Sequence, residues 1–235
     1  MVELDRSERK DYDTSSGKWR NIPLHVNWLD NLLKKYNVKN ILSLGCGTGT
    51  YEILLAKKGY SVFGMDYNPH FIKRAKLKAK KEKVKITFKV GDIRNFSYGK
   101  FDAVLSIWAP IMFGCKNINQ VTDALKCIKN SMTKESIALF ETGTPSLLNT
   151  LSKIKNPNTK YTFDNKKNKC YVEEFNKGEK TTATYNLYTK EEFTKIFDRL
   201  GLRPIRWYGP FNHKTGKYTQ FSNSSDLITA LFKLK

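Results

Sequence analysis

The chain has 235 residues, 40% hydrophobic and 13% aromatic. That is enough apolar side chain for a real core, and it excludes disorder, collagen-like repeats and a solvating tail. Lys and Arg number 42 against 22 Asp and Glu, a formal charge of +20, which admits either a polyanion partner or lysine-rich solvated faces. No apolar run nears the ~20 residues that span a bilayer. Residues 1–10 lack the apolar stretch of a secretory signal, so a cytoplasmic location and no membrane partner are expected. Cys46, Cys115, Cys127 and Cys170 are far apart, with no Cys-x-x-Cys pair and no nearby His, so neither a zinc site nor a disulfide framework is expected.

Apolar positions Ile22, Leu24, Val26, Trp28, Leu29, Leu32 and Leu33 predict an amphipathic helix over 22–36. Asn40 to Leu44 is a short apolar strand that breaks into Gly45-Cys46-Gly47-Thr48-Gly49, and a helical pattern follows through Ile53, Leu54 and Leu55 to Gly59. A second strand spans 61–66, and Asn68-Pro69 opens a helix with Asn as N-cap and Pro in the first turn. Strands at 84–90 and 101–106, a helix at 117–132 and a strand at 136–141 continue the alternation, which implies a parallel sheet covered on both faces. After Thr142-Gly-Thr-Pro145 the rhythm changes. Residues 159–188 are rich in Thr, Tyr, Phe and Val with polar turns at 165–168 and 176–178, the pattern of inserted antiparallel strands. Thr189-Lys-Glu-Glu192 is a capping box for a helix that stops at Gly201, and strands at 202–208 and 226–233 close the chain.

A strand that runs into Gly45-x-Gly47-x-Gly49 and then a helix is a nucleotide-binding turn. The glycines let the backbone approach a ligand, and the helix N-terminus favours a negative group. Asp66 ends the next strand, where a carboxylate can accept from both ribose hydroxyls of an adenosine. The dinucleotide fingerprint G-x-G-x-x-G fails, because its third glycine position holds Thr50.

With G-x-G-x-G spacing the sequence resembles the class I S-adenosylmethionine-dependent methyltransferases. Leu42-Ser-Leu-Gly-Cys-Gly-Thr-Gly49 matches their first motif, Gly64-Met-Asp-Tyr-Asn-Pro69 their second, Gly91-Asp92-Ile-Arg their third and Phe101-Asp-Ala-Val-Leu-Ser106 their fourth. The layout is closest to glycine N-methyltransferase-like and sugar-amine N-methyltransferase-like enzymes. The resemblance implies an α/β, Rossmann-like fold: a seven-strand, mostly parallel sheet with one reversed strand, helices on both faces and a small antiparallel β cover. It divides the chain into a cofactor-covering arm and helix at 1–36, a core at 37–144, the insertion over the acceptor site at 145–188 and the C-terminal part of the core sheet at 189–235. It also implies S-adenosylmethionine as cofactor, with S-adenosylhomocysteine as product. Gly45, Cys46, Gly47 and Gly49 would wrap its methionine part, Asp66 would bind the ribose, and Tyr67 would lie beside the adenine. Asp92 would accept from the exocyclic amine, the Ile93 amide would reach a ring nitrogen, Ser106 would end the fourth motif at the cofactor, and Arg20 of the arm would pair with the carboxylate. One departure stands out: the family has Asp or Glu where this chain has Ser43, so the turn loses a charge that orders the cofactor's ammonium, and reduced affinity is expected.

Trp108, Tyr208 and His213 are candidates for the acceptor side, and no catalytic base is assigned. Ser106-Ile-Trp-Ala-Pro110 is not the signature of base-amine methyltransferases, and no Pro-Cys or Thr-Cys supplies a cytosine-5 nucleophile. The reading is methyl transfer to a nitrogen or oxygen of a small molecule. An RNA methyltransferase is the alternative that the charge supports, and a non-catalytic cofactor-binding scaffold the one that Ser43 supports.

Overall fold

The computed structural model describes residues 21–108, 110–153, 156–176 and 179–235; Arg20 and the rest of the arm lie outside them. Along the chain run α1 (Ile22–Lys35), β1 (Asn40–Leu44), α2 (Thr50–Lys57), β2 (Ser61–Asp66), α3 (Pro69–Lys81), β3 (Thr87–Val90), β4 (Phe101–Ser106), α4 (Pro110–Gly114), α5 (Ile118–Asn130) and β5 (Met132–Gly143). Then follow α6 (Leu147–Leu151), β6 (Thr159–Asp164), β7 (Lys169–Asn176), β8 (Glu179–Asn186), α7 (Lys190–Leu200), β9 (Leu202–Asn212), β10 (Lys217–Gln220) and β11 (Leu227–Leu234).

The main sheet has the order β10-β9-β11-β5-β4-β1-β2-β3. Five strands, β3-β2-β1-β4-β5, are mutually parallel. β11 runs antiparallel to both β5 and β9, so it is the reversed strand of the expected seven. The structure adds an eighth, β10, which pairs with an extension of β9 beyond Tyr208 and forms an edge hairpin. Four polar-flanked residues gave that strand little sequence signal. β3 is shorter than expected, because Val84 belongs to the end of α3: Lys83 adopts φ 54° and the Val84 N–H donates to the Ala79 carbonyl at 3.1 Å.

Successive strand residues point to opposite faces, and here both faces are buried. Leu42, Val104, Ala138, Phe140 and Phe232 pack under α5 and α7 against Val121, Leu125, Phe193 and Phe197. Their neighbours Ile41, Ala103, Leu105, Leu139 and Leu231 pack under α1 and α2 against Val26, Leu29, Leu33 and Leu55. Covering on both sides explains why the strands read as continuous apolar runs rather than alternating ones. The insertion forms its own antiparallel sheet, β6-β7-β8, over a small core of Leu148, Leu151, Cys170, Val172 and Leu187. It is tied to the main sheet by the Tyr188 N–H on the Gly143 carbonyl at 3.3 Å and the Tyr188 hydroxyl on the Cys115 carbonyl at 3.1 Å. No helix among the described residues is long and apolar enough to cross a membrane.

Side-chain caps fix the helix starts. Asn68 accepts from the N–H groups of His70 and Phe71, and Thr189 and Glu192 form a reciprocal capping box at 3.2 and 2.8 Å. Replacing Thr189 with Ala should cost about 1 kcal/mol of stability in urea unfolding. An unchanged midpoint would show that the packing of Phe193, Ile196 and Phe197 alone sets α7.

Candidate active site

β1 lies where the build-up of the sheet changes direction, with β2 and β3 on one side and β4 and β5 on the other. In such sheets the crevice at the strand C-termini is the ligand site. There Gly45, Gly47 and Gly49 take φ of 68°, 54° and 76°, left-handed values that side chains resist. A Cβ on Gly45 would stand 2.5 Å from Pro110, whereas one on Gly47 would meet nothing within 4 Å. The first glycine is therefore demanded by packing, and Gly47 faces open space. Gly49 heads α2 without any side-chain cap, which leaves the helix N-terminus to a ligand. The Cys46 N–H donates to the Met65 carbonyl at 2.9 Å.

Asp66 fastens this turn. Its carboxylate accepts from the Gly47 N–H and the Asn68 N–H, both at 2.9 Å. Burial pushes its carboxyl above the usual range, while the N–H groups of Asn68, Gly47 and Tyr67 pull it back. Beside the turn is a cleft of about 230 Å³ bordered by Ser43, Gly45, Gly47, Tyr51, Glu52 and Trp108. The lack of a carboxylate at position 43 does not leave this cleft without one. The Ser43 hydroxyl donates to Glu52 Oε1 at 2.6 Å, and Glu52, only 2% exposed, stands one turn into α2. Glu52 Oε2 has no hydrogen-bond partner among the described residues. Burial raises its carboxyl to about 7, against the pull of the Ser43 hydrogen bond.

The remaining expected cofactor residues do not border this cleft: Tyr67, just after β2, is 55% exposed, Ile93 is buried, and Ser106 is buried at the end of β4. Asp92 has a partner that the sequence did not suggest: Arg94 Nε lies 2.8 and 3.0 Å from its two oxygens, and the guanidinium holds its carboxyl below the usual range.

At the other end of the cleft Trp108 stands at φ 68°, a strained value for a non-glycine residue. Its N–H donates to Glu141 Oε1 at 3.3 Å, and its indole N–H donates to the Tyr51 hydroxyl at 2.8 Å. His213 stacks on Trp108 with centroids 5.6 Å apart and planes 13° apart; of the two only Trp108 borders the cleft, and His213 backs that wall. Tyr208 does not border the cleft; it joins the aromatic cluster through Trp28 and Tyr218. Behind the wall the fully buried His25 bridges the Tyr51 and Tyr218 hydroxyls, each at 2.9 Å, and stacks on Phe211. Burial, with His213 nearby, pushes its pKa down to about 3, so it is neutral at physiological pH. The sequence reading missed Tyr51, Glu52, His25, Glu141 and Tyr218. Only Glu52 left a usable signal, as the first acid after a turn whose strand lacks one.

Among known proteins, a methyltransferase-domain family matches residues 41–133. A putative protein N5-glutamine methyltransferase of Methanocaldococcus jannaschii is 42% identical over 78 residues, 33% of this chain and 39% of that protein. With two further curated relatives, matched over 38% and 41% of their lengths, this chain spans about two fifths of the proteins concerned. A solved S-adenosylmethionine-dependent methyltransferase from Clostridium acetobutylicum superposes with TM-score 0.79 at 16% identity, covering 95% of this chain and 96% of that one. S-adenosylmethionine-bound CalS10, an amino pentose methyltransferase from Micromonospora echinaspora, gives 0.64 at 14% identity over 93% and 94%. The fold is that of the class I, S-adenosylmethionine-dependent methyltransferases. Residues 41–133, which hold the glycine turn and Asp66, are a methyltransferase domain.

His25 gives the fold an acid dependence. Its folded pKa lies below the 6.5 of the unfolded chain, so its contribution is complete above pH 6.5 and is lost as pH falls toward 3. Glu52 acts oppositely between its ordinary 4.5 and about 7, so the two offset each other where the windows overlap. Removing His25 as His25→Gln should therefore lower the slope of stability against pH by up to about 1.4 kcal/mol per pH unit between pH 4 and 6. Equal slopes in wild type and variant would mean that His25 is already protonated in the folded protein.

Proposed function

We propose that this chain transfers the methyl group of S-adenosylmethionine to a nitrogen or oxygen of a small-molecule acceptor. The observation that carries this reading is the Trp108–His213 wall beside the cleft at the glycine turn. The bound cofactor supplies an already activated methyl group, so the protein's work is alignment and exclusion of water. Gly45 to Gly49 wrap the methionyl part. Asp66 retains acceptor capacity beyond the N–H groups of Gly47, Asn68 and Tyr67 and takes the ribose hydroxyls. Tyr67 covers the adenine, whose edge meets Asp92 and Ile93. Trp108 and His213 hold the acceptor, and β8, packed on α4, roofs it. Two buried oxygens without a partner among the described residues, Thr142 Oγ1 and Asn186 Oδ1, belong to the strands that meet at the Tyr188–Gly143 contact.

The ionisable groups behind the wall are engaged: Glu141 by Trp108 and Thr229, His25 by two tyrosines. That favours an acceptor which attacks through a lone pair and needs no base, such as an amine. Relatives sharing the domain are named for a protein glutamine, a porphyrin and a tRNA uracil, so the domain match alone does not select the acceptor. The RNA reading draws on the +20 charge. Against it, the basic residues of α3, Lys73, Arg74, Lys76, Lys78, Lys80 and Lys81, spread over more than half of the helix circumference, away from the buried Ile72, Ala75 and Ala79, rather than along one narrow track.

S-adenosylhomocysteine should bind in calorimetry and NADH should not; comparable NADH binding would sink the cofactor assignment. The Asp66→Ala variant should bind S-adenosylhomocysteine about 1.5–3 kcal/mol more weakly, and, with the Gly47 and Asn68 N–H groups released, should also melt lower. A folded variant with unchanged affinity would place the ribose elsewhere. Generic RNA should bind weakly at physiological salt, and reversing Lys76, Lys80 and Lys83 together should leave acceptor turnover nearly intact. Tight RNA binding that loses close to one log unit of affinity per log unit of salt for each phosphate contacted would favour the RNA reading.

A further inference from the structure

We propose that Glu52 receives the cofactor's α-ammonium in place of the carboxylate missing at position 43, and that cofactor binding is thereby coupled to the ionisation of Glu52. This rests on the S-adenosylmethionine reading. A buried carboxylate is stable only when paired or protonated. One oxygen of Glu52 is held by the Ser43 hydroxyl at 2.6 Å, and the other has no partner among the described residues. Both residues border the cleft with Gly45 and Gly47, where the methionyl part is placed. An ammonium brings three donors and the compensating charge, so it completes what the protein leaves half-made.

The groups around Glu52 do not supply that charge in full. Asp66 from β2 opposes its ionisation, and Lys78 from α3 favours it. The Lys78 ammonium, however, donates to the hydroxyls of Thr48 and Thr50 at 3.3 and 2.7 Å. Burial pushes the Cys46 thiol of the turn well up, so it stays neutral. Ile22 of α1, Leu105 of β4, and Ile107 and Trp108 beyond it bring no charge, and Tyr51 brings a hydroxyl already bonded to His25 and Trp108. With its carboxyl near 7, Glu52 is protonated as pH falls through neutrality. Its ionised, ammonium-binding form is then lost, and affinity must rise with pH across this window.

The test is calorimetric titration of the whole chain from pH 5.5 to 7.5, with S-adenosylhomocysteine and with adenosine, which lacks the ammonium. Wild type should lose roughly 25-fold in S-adenosylhomocysteine affinity from pH 7.5 to 5.5 in the limit where only ionised Glu52 binds. Adenosine affinity should stay flat. Glu52→Gln should bind S-adenosylhomocysteine more weakly at pH 7.5 with a flat profile, and Ser43→Asp added to it should restore affinity. Without ligand, the melting temperature of Glu52→Gln should also rise more steeply with pH between 4.5 and 7 than that of wild type, because the opposing slope of the buried carboxyl is gone. Equal affinities and profiles for wild type and Glu52→Gln, or an adenosine profile as steep as that of S-adenosylhomocysteine, would overturn the inference. No S-adenosylhomocysteine binding by folded wild type at any pH would instead overturn the cofactor reading, and this inference with it.

Discussion

The Asp66 carboxylate takes one N–H from Gly47 and one from Asn68 and so joins the turn after β1 to the end of β2. Three left-handed glycines have no intrinsic reason to share one conformation, and unbraced they would sample many. The carboxylate selects one of these conformations, with Gly47 facing open space and α2 starting uncapped behind it. The same contact places Asn68, which caps α3, and α3 carries Lys78 back over the turn to Thr48 and Thr50. A single buried acid thus sets the crevice, the helix behind it and the charge above it.

The Trp108 end of the cleft is organised differently, through a chain of hydrogen bonds. Trp108 is held in a strained conformation by Glu141 at its backbone and Tyr51 at its indole, and Tyr51 is held in turn by His25. His25 is useful here because it is not charged. A neutral imidazole donates from one nitrogen and accepts at the other, so it can link two hydroxyls in a space that would reject an imidazolium. The network runs from α1 through α2 to the β9–β10 hairpin, and the hairpin also carries His213 onto the face of Trp108. Three parts of the chain far apart in sequence therefore share the upkeep of one wall.

The two halves of the site differ in how they respond to charge. Around the glycine turn two acids, Asp66 and Glu52, are buried, Asp66 raises the cost of ionising Glu52, and Glu52 lacks a full complement of partners. Around Trp108 the polar groups are satisfied internally. A cation completes the first environment, and a neutral or aromatic group suits the second. That division matches a charged cofactor tail on one side and an acceptor that needs no base on the other.

Much of this was legible in the sequence because the signals are local. The glycine spacing, the acid at the end of the next strand, the Asn68 and Thr189 caps and the alternation of strand and helix all depend on residues within a turn or two of each other. The parallel direction of the core strands followed from the same rhythm, and the one reversed strand from the family resemblance. What the sequence could not determine depends on residues brought together from a distance. Ser43 reads as a missing charge until α2 turns Glu52 back onto it, and His25 gains its role only when the β9–β10 hairpin delivers Tyr218. The hairpin itself, with its four-residue edge strand, gave almost no pattern, yet it positions His213. Local propensity and periodicity thus determined the frame and the cofactor turn. The pairing of buried polar groups was decided only by tertiary structure, because a buried hydrogen bond is set by which side chains folding brings within 3 Å, wherever they lie in the chain.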